Sequence, residues 1–277
     1  MSIIALVLTY NESRHISDCL KTLEWADHRI VWDSFSTDDT VTLAAAAGAT
    51  VVQNPFKNYA QQRNDALDWV AHNTRGLHGI ARTDVTVSSM AAGDWVFFVD
   101  ADERVPDDLA KEVVLVSQNM DRTVWTVPRH NYLFGKLTLG AGWYPDRQAR
   151  LFLVGRAKFN PVVTVHEVPE FDGEMGELQN VLIHYNYDNL AQFYAKQRKY
   201  ADLQARILHD QGIRPKPRNY LMQPLREFRR RFFILRGYRD GFHGLRLSGL
   251  MAYYDFVMYR RLARLGRKTK ATDVGRL

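Results

Sequence analysis

The first hundred residues alternate apolar runs with helically spaced apolar stripes. Residues 2–9 are continuously apolar, and between Glu12 and Leu23 the residues Ile16, Cys19, Leu20 and Leu23 recur at helical spacing, which predicts a strand followed by a helix. His28 to Trp32 is a short strand ending at Asp33. Ser36, Thr37 and Asp38 then offer caps for a helix through the alanine run, which Gly48 stops. Residues 49–53 predict a third strand, 59–71 a helix and 94–100 a buried strand, while residues 72–92 lose all periodicity and read as a long loop. Strands alternating with helices imply an α/β fold with a mostly parallel sheet covered on both faces, whose ligands sit beyond the carboxyl ends of the strands. The segments Thr9–Glu12, Asp33–Asp39 and Asp100–Glu103 all fall at such ends and are expected to converge.

Residues 123–187 change character. They carry aromatic and Gly-rich stretches and predict short strands at 124–128, 149–153 and 181–185; the chain from Leu190 onward reads as helical and basic, broken around Pro215–Pro217 and at Pro224. This divides the chain into a body over 1–189, itself in two halves at 1–104 and 105–189, and a helical extension over 190–277. The 277 residues, 46% hydrophobic and 25% charged, suffice for one large domain and an appendage. A single cysteine, Cys19, excludes an internal disulfide and suits a reducing compartment. The N-terminal run lacks the basic start and cleavage site of a signal peptide, and no apolar stretch reaches the ~18 residues of a spanning helix. A cytoplasmic protein is expected.

Charge changes the picture of the tail. Residues 214–277 hold 17 Lys and Arg against 4 Asp and Glu, whereas residues 1–213 hold 20 against 27, so a net charge of +6 conceals an acidic body and a basic tail. Within the tail, Leu247, Leu250, Met251, Tyr254, Val257, Met258 and Leu262 fall at helical spacing before a cationic stretch, and Arg229–Arg236 is a second basic and apolar segment. An amphipathic helix of this kind either lies in an anionic bilayer interface or packs its stripe into a core. We expect the former, on the inner face of the cell membrane, and no nucleic-acid partner.

Candidate chemistry concentrates at the strand ends. Asp100-Ala101-Asp102-Glu103 follows the apolar strand, and two carboxylates two residues apart can address one hard cation, Mn²⁺ or Mg²⁺, bound to a diphosphate; the bland alternative is an acidic helix start. Asp33 can accept from a nucleotide base or ribose, since Ser36–Asp38 suffice as a helix cap without it. No G-x-G-x-x-G follows the first strand, which argues against a dinucleotide cofactor.

Taken together, Thr9-Tyr-Asn-Glu12, Ile30-Val-Trp-Asp33 with its Ser-Phe-Ser-Thr-Asp-Asp continuation, Ala60-Gln-Gln-Arg63-Asn64, Phe98-Val-Asp100-Ala-Asp102-Glu103, Gly142-Trp-Tyr-Pro-Asp146-Arg-Gln-Ala-Arg150 and Val165-His166-Glu167 resemble, in order, the inverting nucleotide-sugar glycosyltransferases of family 2. The likeness is greatest to the subgroup resembling lipopolysaccharide core β-1,4-glucosyltransferases. It implies a GT-A fold, a UDP-sugar donor (a hexose, with glucose favoured) and a glycan or glycolipid acceptor. It further implies donor binding by Thr9, Asn11, Glu12, Asp33, Arg63, Asp100 and Ala101, and metal binding by Asp100, Asp102 and His166, with His184 as substitute for the last. Imidazole ligation would suit manganese over magnesium.

An inverting transfer needs one general base on the acceptor side. Asp146 is the expected base and Glu167 its runner-up. Trp143 and Tyr144 could stack on a sugar while desolvating the Asp146 carboxylate and raising its pKa; Arg150 joins Glu167 as an acceptor contact, or else pairs with Asp146. Two departures from the subgroup stand out: a longer, more polar 72–92 segment, and Trp32 where a small β-branched residue is usual. The rivals are a phosphatase-like enzyme, in which Asp100 attacks and Asp102 is the acid, and a non-catalytic membrane-binding module. The first would place its aspartate after the first strand, and the second leaves the acidic strand ends unexplained.

Overall fold

The structure, a computed structural model, describes residues 1–73, 93–160 and 169–274. The expected loop therefore lies outside the described residues except for its first two positions, which extend a helix. The predicted alternation is present: β1 (Ile3–Thr9), α1 (Ile16–Lys21), β2 (His28–Asp33), α2 (Thr40–Ala46), β3 (Thr50–Gln53), α3 (Tyr59–Asn73) and β4 (Trp95–Asp100). After β5 (Glu103–Arg104) and α4 (Asp107–Ser117) come β6 (Val124–Leu133), β7 (Lys136–Thr138), β8 (Asp146–Leu153), β9 (Ala157–Phe159), β10 (Pro169–Phe171), β11 (Met175–Glu177) and β12 (Leu182–Tyr187). The main sheet runs β3-β2-β1-β4-β8-β6-β12-β5. Its first four strands are parallel, and β8 returns antiparallel to β4. This is the α/β, GT-A-like architecture expected, with helices beyond it at the C-terminus.

The chain forms two compact units, the first built from residues 1–129 and 147–184 and the second from 130–146 and 185–277. Strands β1 and β4 of the first unit are apolar at every central position because both faces of the sheet are covered. One face packs Ala5, Val7, Phe97 and Val99 on Cys19, Leu20, Leu109 and Val113 of α1 and α4; the other packs Leu6, Ile30, Phe98 and Phe152 on Ala66 and Val70 of α3. Cys19 is core filler. Trp32 is buried against the edge of Trp69, 6.2 Å between ring centroids, so the unusual residue on β2 is accommodated by an aromatic partner on α3.

The second unit is helical: α5 (Leu190–Asp210), α6 (Asn219–Arg229), a π-helical turn (Arg230–Ile234), a 3-10 turn (Gly237–Asp240) and α7 (Gly241–Val274). Pro224 does not break the chain as expected but sits at the middle of α6, the sixth of its eleven residues, where it leaves the helix one i→i−4 hydrogen bond short. The α7 stripe also differs from the expected lipid-facing role. Leu247, Tyr254, Met258 and Leu262 are buried on Phe193, Ala201 and Ala205 of α5, so packing consumes that face. Among the described residues no helix is long and apolar enough to cross a membrane.

Candidate active site

The parallel register brings three strand ends level. Thr9 of β1 stands opposite Asp33 of β2, and Leu8 opposite Asp100 of β4, so the turns leaving β1, β2 and β4 share one edge of the sheet, as expected. Side chains hold the first two turns together. The Asn11 N–H donates to Ser36 Oγ at 2.8 Å, Thr37 N–H donates to Asn11 Oδ1 at 2.8 Å, and Glu12 N–H donates to Thr40 Oγ1 at 2.8 Å. Asn11 occupies the left-handed region at φ 55°, which asparagine tolerates better than most residues. Asp38 accepts from Ser13 N–H at 3.2 Å and from the Thr40 N–H and hydroxyl; its slight burial is outweighed by these donors, which bring its carboxyl down to about 2.

Asp33 is more occupied than its role as a left-over carboxylate suggested. It is fully buried, and Oδ2 accepts from Ser36 N–H at 2.9 Å and Gln53 Nε2 at 3.0 Å while Oδ1 accepts from the Ser36 hydroxyl. Thr9 is also buried, and its hydroxyl finds no hydrogen-bond partner among the described residues. Arg63 on α3 lies 5.4 Å above the Phe159 ring, and its charge reaches Asp100.

The turn after β4 is organised by an ionic cluster. Arg150 of β8, 3% exposed, places Nη2 at 2.6 Å from both Asp100 Oδ2 and Glu103 Oε1. Glu103 is itself completely buried; Oε2 accepts from the Asp100 N–H at 2.9 Å and Oε1 from Arg129 Nη1 at 3.2 Å. Arg150, expected on the acceptor side or beside Asp146, is thus taken by the carboxylates of the β4 turn, because β8 pairs directly with β4. Burial alone would raise the Asp100 carboxyl, but Arg150, then Arg63 and Arg129, hold it well below the usual carboxylate range. Burial pushes the Glu103 carboxyl up against the pull of Arg150. The fixed cations favour ionised Asp100. Sequence reasoning named Glu103 only as the end of the motif and missed its partnership with Arg129; a glutamate directly after the paired aspartates was the available signal.

Ala101 is buried between the two aspartates, and Asp102 Oδ2 lies 3.5 Å from His184 Nε2, a consequence of His184 pairing with Glu103 across β12 and β5. His166 and Glu167 lie outside the described residues. No group of three or more His, Cys, Asp or Glu side chains positioned to hold an ion occurs among the described residues. Asp100 and Asp102 nonetheless offer hard oxygen donors at one strand end, which fits a cation that takes one or two protein carboxylates and fills its shell with phosphate and water.

In the second unit, Asp146 is the first residue of β8. Its Oδ2 accepts from Asn131 Nδ2 at 3.1 Å, and the same amide donates to Trp143 O at 2.9 Å. The aromatic residues before it have separate neighbours: Tyr144 is exposed and leans on His130, with centroids 5.3 Å apart, while Trp143 meets Tyr187 edge-on at 6.2 Å. The Trp143 indole N–H is buried with no partner among the described residues. The loop is clasped to the turns after α6. Leu139 and Gly140 N–H donate to Asp240, Ala141 N–H donates to Leu235 O at 2.8 Å, and Arg231 Nη1 donates to Ala141 O at 2.7 Å. A Cβ on Gly140 would come within 2.4 Å of the Arg236 carbonyl oxygen, so only glycine fits.

Comparison with known proteins assigns the chain to a family. The lipopolysaccharide core biosynthesis glycosyltransferase LpsC of Rhizobium meliloti (strain 1021) is 26% identical over 268 residues, 91% of this chain and 88% of that one. An uncharacterized glycosyltransferase of Rickettsia prowazekii (strain Madrid E) is 25% identical over 280 residues, 97% of this chain and 89% of that one. Among solved structures, Staphylococcus aureus TarS 1–349 in complex with UDP aligns over 94% of this chain and 92% of that one, with 15% identity and a TM-score of 0.45. The sequence pattern of glycosyl transferase family 2 matches residues 4–156, a span that starts within β1 and contains β2, β4 and the whole Asp100–Glu103 turn, and the chain belongs to that family.

Proposed function

We propose that this glycosyltransferase is an inverting, metal-dependent hexosyltransferase that moves a hexose, glucose by our reading, from a UDP-sugar to a hydroxyl of a glycan or glycolipid such as lipopolysaccharide core. The observation that carries the reading is the level register of Thr9, Asp33 and Asp100, which sets three polar turns side by side at the carboxyl edge of a parallel sheet. Thr9, Asn11, Glu12, Asp33, Arg63 and Ala101 bind the nucleotide-sugar, and the likeness to a lipopolysaccharide core enzyme supports the acceptor class. Asp100 and Asp102 hold the divalent cation, Mn²⁺ or Mg²⁺, with His166 or His184 as a further ligand. When bound, the cation neutralises charge on the departing diphosphate.

Asp146 accepts the proton of the acceptor hydroxyl as its oxygen attacks the anomeric carbon and the bond to UDP breaks. Asn131 orients that carboxylate, and Trp143 and Tyr144 pack on the acceptor sugar, with Glu167 beside them. Arg150 keeps Asp100 ionised and in place. The enzyme works in the cytoplasm as a peripheral protein on the inner face of the membrane.

Calorimetric titration of UDP with and without Mn²⁺ tests the donor site. Asp102→Asn is expected to abolish the metal-dependent part of the affinity, and unchanged affinity removes the assignment. Asp146→Asn is expected to lower turnover by ~10²–10⁴-fold with UDP binding intact. Near-normal turnover would transfer the role to Glu167.

A further inference from the structure

The α7 stripe is spent on packing, yet among the described residues the second unit has another, exposed apolar face. Helix α6 buries none of its residues. Its inner side meets α7, with Tyr220 edge-on to Phe256 at 6.3 Å, while Leu221, Met222 and Leu225 are exposed on its outer side and Phe233 and Ile234 continue the exposure through the π-helical turn. These five side chains are 49–71% exposed. Exposed arginines, Arg226, Arg229 and Arg230, are interleaved with them at helical spacing, and Arg218 precedes the helix. Over residues 214–240 there are nine Lys and Arg against two acids, and one of these, Glu227, is already held by Arg230 and Arg231.

We infer that this ribbon, Asn219 to Ile234, is the surface by which the protein docks on an anionic lipid bilayer. The inference rests on the membrane-peripheral placement proposed above and assigns it to α6 and the turn after it, not to the stripe of α7. Charge complementarity selects the occupant. Guanidinium groups interleaved with leucine and phenylalanine match an interface in which anionic headgroups lie directly above acyl chains, so that side chains of both kinds are satisfied at one depth. A second copy of the chain joined through the same face about a two-fold axis would set arginine against arginine. A nucleic-acid backbone would satisfy the arginines and leave the five apolar side chains in water.

The full chain is mixed with phosphatidylcholine vesicles containing about one-third phosphatidylglycerol, with pure phosphatidylcholine vesicles as control. Expected is co-sedimentation with the anionic vesicles alone, weakened and not eliminated as salt shortens the Debye length from ~10 Å to ~3 Å. The quadruple variant Leu221→Ser, Leu225→Ser, Phe233→Ser, Ile234→Ser should reduce the bound fraction at least fivefold, with UDP affinity unchanged. A gain-of-signal measurement avoids dependence on folding of that variant. Cys19 is completely buried, so Ile234→Cys offers one reactive thiol for an environment-sensitive fluorophore. Its emission should shift to the blue on anionic vesicles, whereas the same label at Leu115→Cys, exposed on the first unit, should not shift.

Absence of vesicle binding at low salt overturns the inference, as does equal binding by the quadruple variant or equal shifts at both labels. So does a dimer in sedimentation velocity that the quadruple variant dissociates, or binding to duplex DNA that the variant retains while neither protein binds vesicles. Failure of UDP to bind with all vesicle results positive would instead remove the donor-site reading and leave the docking surface standing.

Discussion

The two units use their arginines in opposite ways. In the first, Arg150 and Arg129 point inward and are matched by Asp100 and the completely buried Glu103. In the second, Arg226 and Arg229 point outward among exposed leucines and phenylalanines. An inward cation fixes one geometry, since a buried charge tolerates only a matched partner; an outward cation fixes none and responds to whatever anionic surface arrives. The chain thus separates a rigid electrostatic site from an adaptable one.

The largest expected effect comes from removing the inward arginine. Arg150→Met leaves two carboxylates crowded in the β4 turn with Arg129 as the cation still bonded to Glu103, and a loss of ~3–5 kcal/mol is expected in chemical denaturation. A loss below ~1 kcal/mol would show that water or relaxation replaces the guanidinium, and the contrast between the units would collapse. Next in size is a paired test inside the second unit. Leu247→Ala, at a fully buried position, should cost ~2–5 kcal/mol, whereas Leu225→Ala on α6 should stay within ~0.5 kcal/mol. Equal costs would mean that α6 is covered in solution.

The smallest effect concerns Asp255, on the α6 side of α7. Burial, then the nearby Glu227 charge, raises its carboxyl to about 6 against the opposing pull of Arg230. A carboxyl raised by folding favours the protonated form, so its contribution to stability is complete below the ordinary carboxylate pKa and is lost as pH rises through about 6. Allowing for solvent screening at a half-buried group, Asp255→Asn should stabilise the second unit by ~1 kcal/mol at neutral pH, with the advantage gone below pH ~4. Thermal melting across this range checks it.

The parallel strands were legible in the sequence because a strand covered on both faces must be apolar throughout, as Ile3–Val7 and Trp95–Val99 are, and because the polar residues that end such runs mark the ligand edge. That the turns after β1, β2 and β4 share one edge was legible for the same reason, whereas the donor roles of their residues, and of Arg63 on α3, came from the resemblance to family 2. What the β4 turn does with its charges was not legible: Arg150 lies 50 residues beyond Asp100, and only the antiparallel return of β8 brings them together. The α7 stripe misled for a related reason. Helical periodicity shows that a face is apolar and is silent on whether α5 or a lipid covers it.

The clasp between the 139–141 loop and the turns after α6 also sets a schedule. The Gly140 amide waits for Asp240, made 100 residues later, and at ~5–20 residues per second that is a delay of roughly 5–20 s on the ribosome. Over that interval the sheet strands of the first unit up to β12 can pair, while the segment leading into Asp146 has no carboxylate to receive its amides and no Leu235 carbonyl for Ala141. A chain released before residue 230 would carry the sequence of the acceptor loop without the contacts that shape it. The loop leading to the proposed base is therefore finished by a segment made about 100 residues after it, and that later segment also carries the proposed bilayer contact.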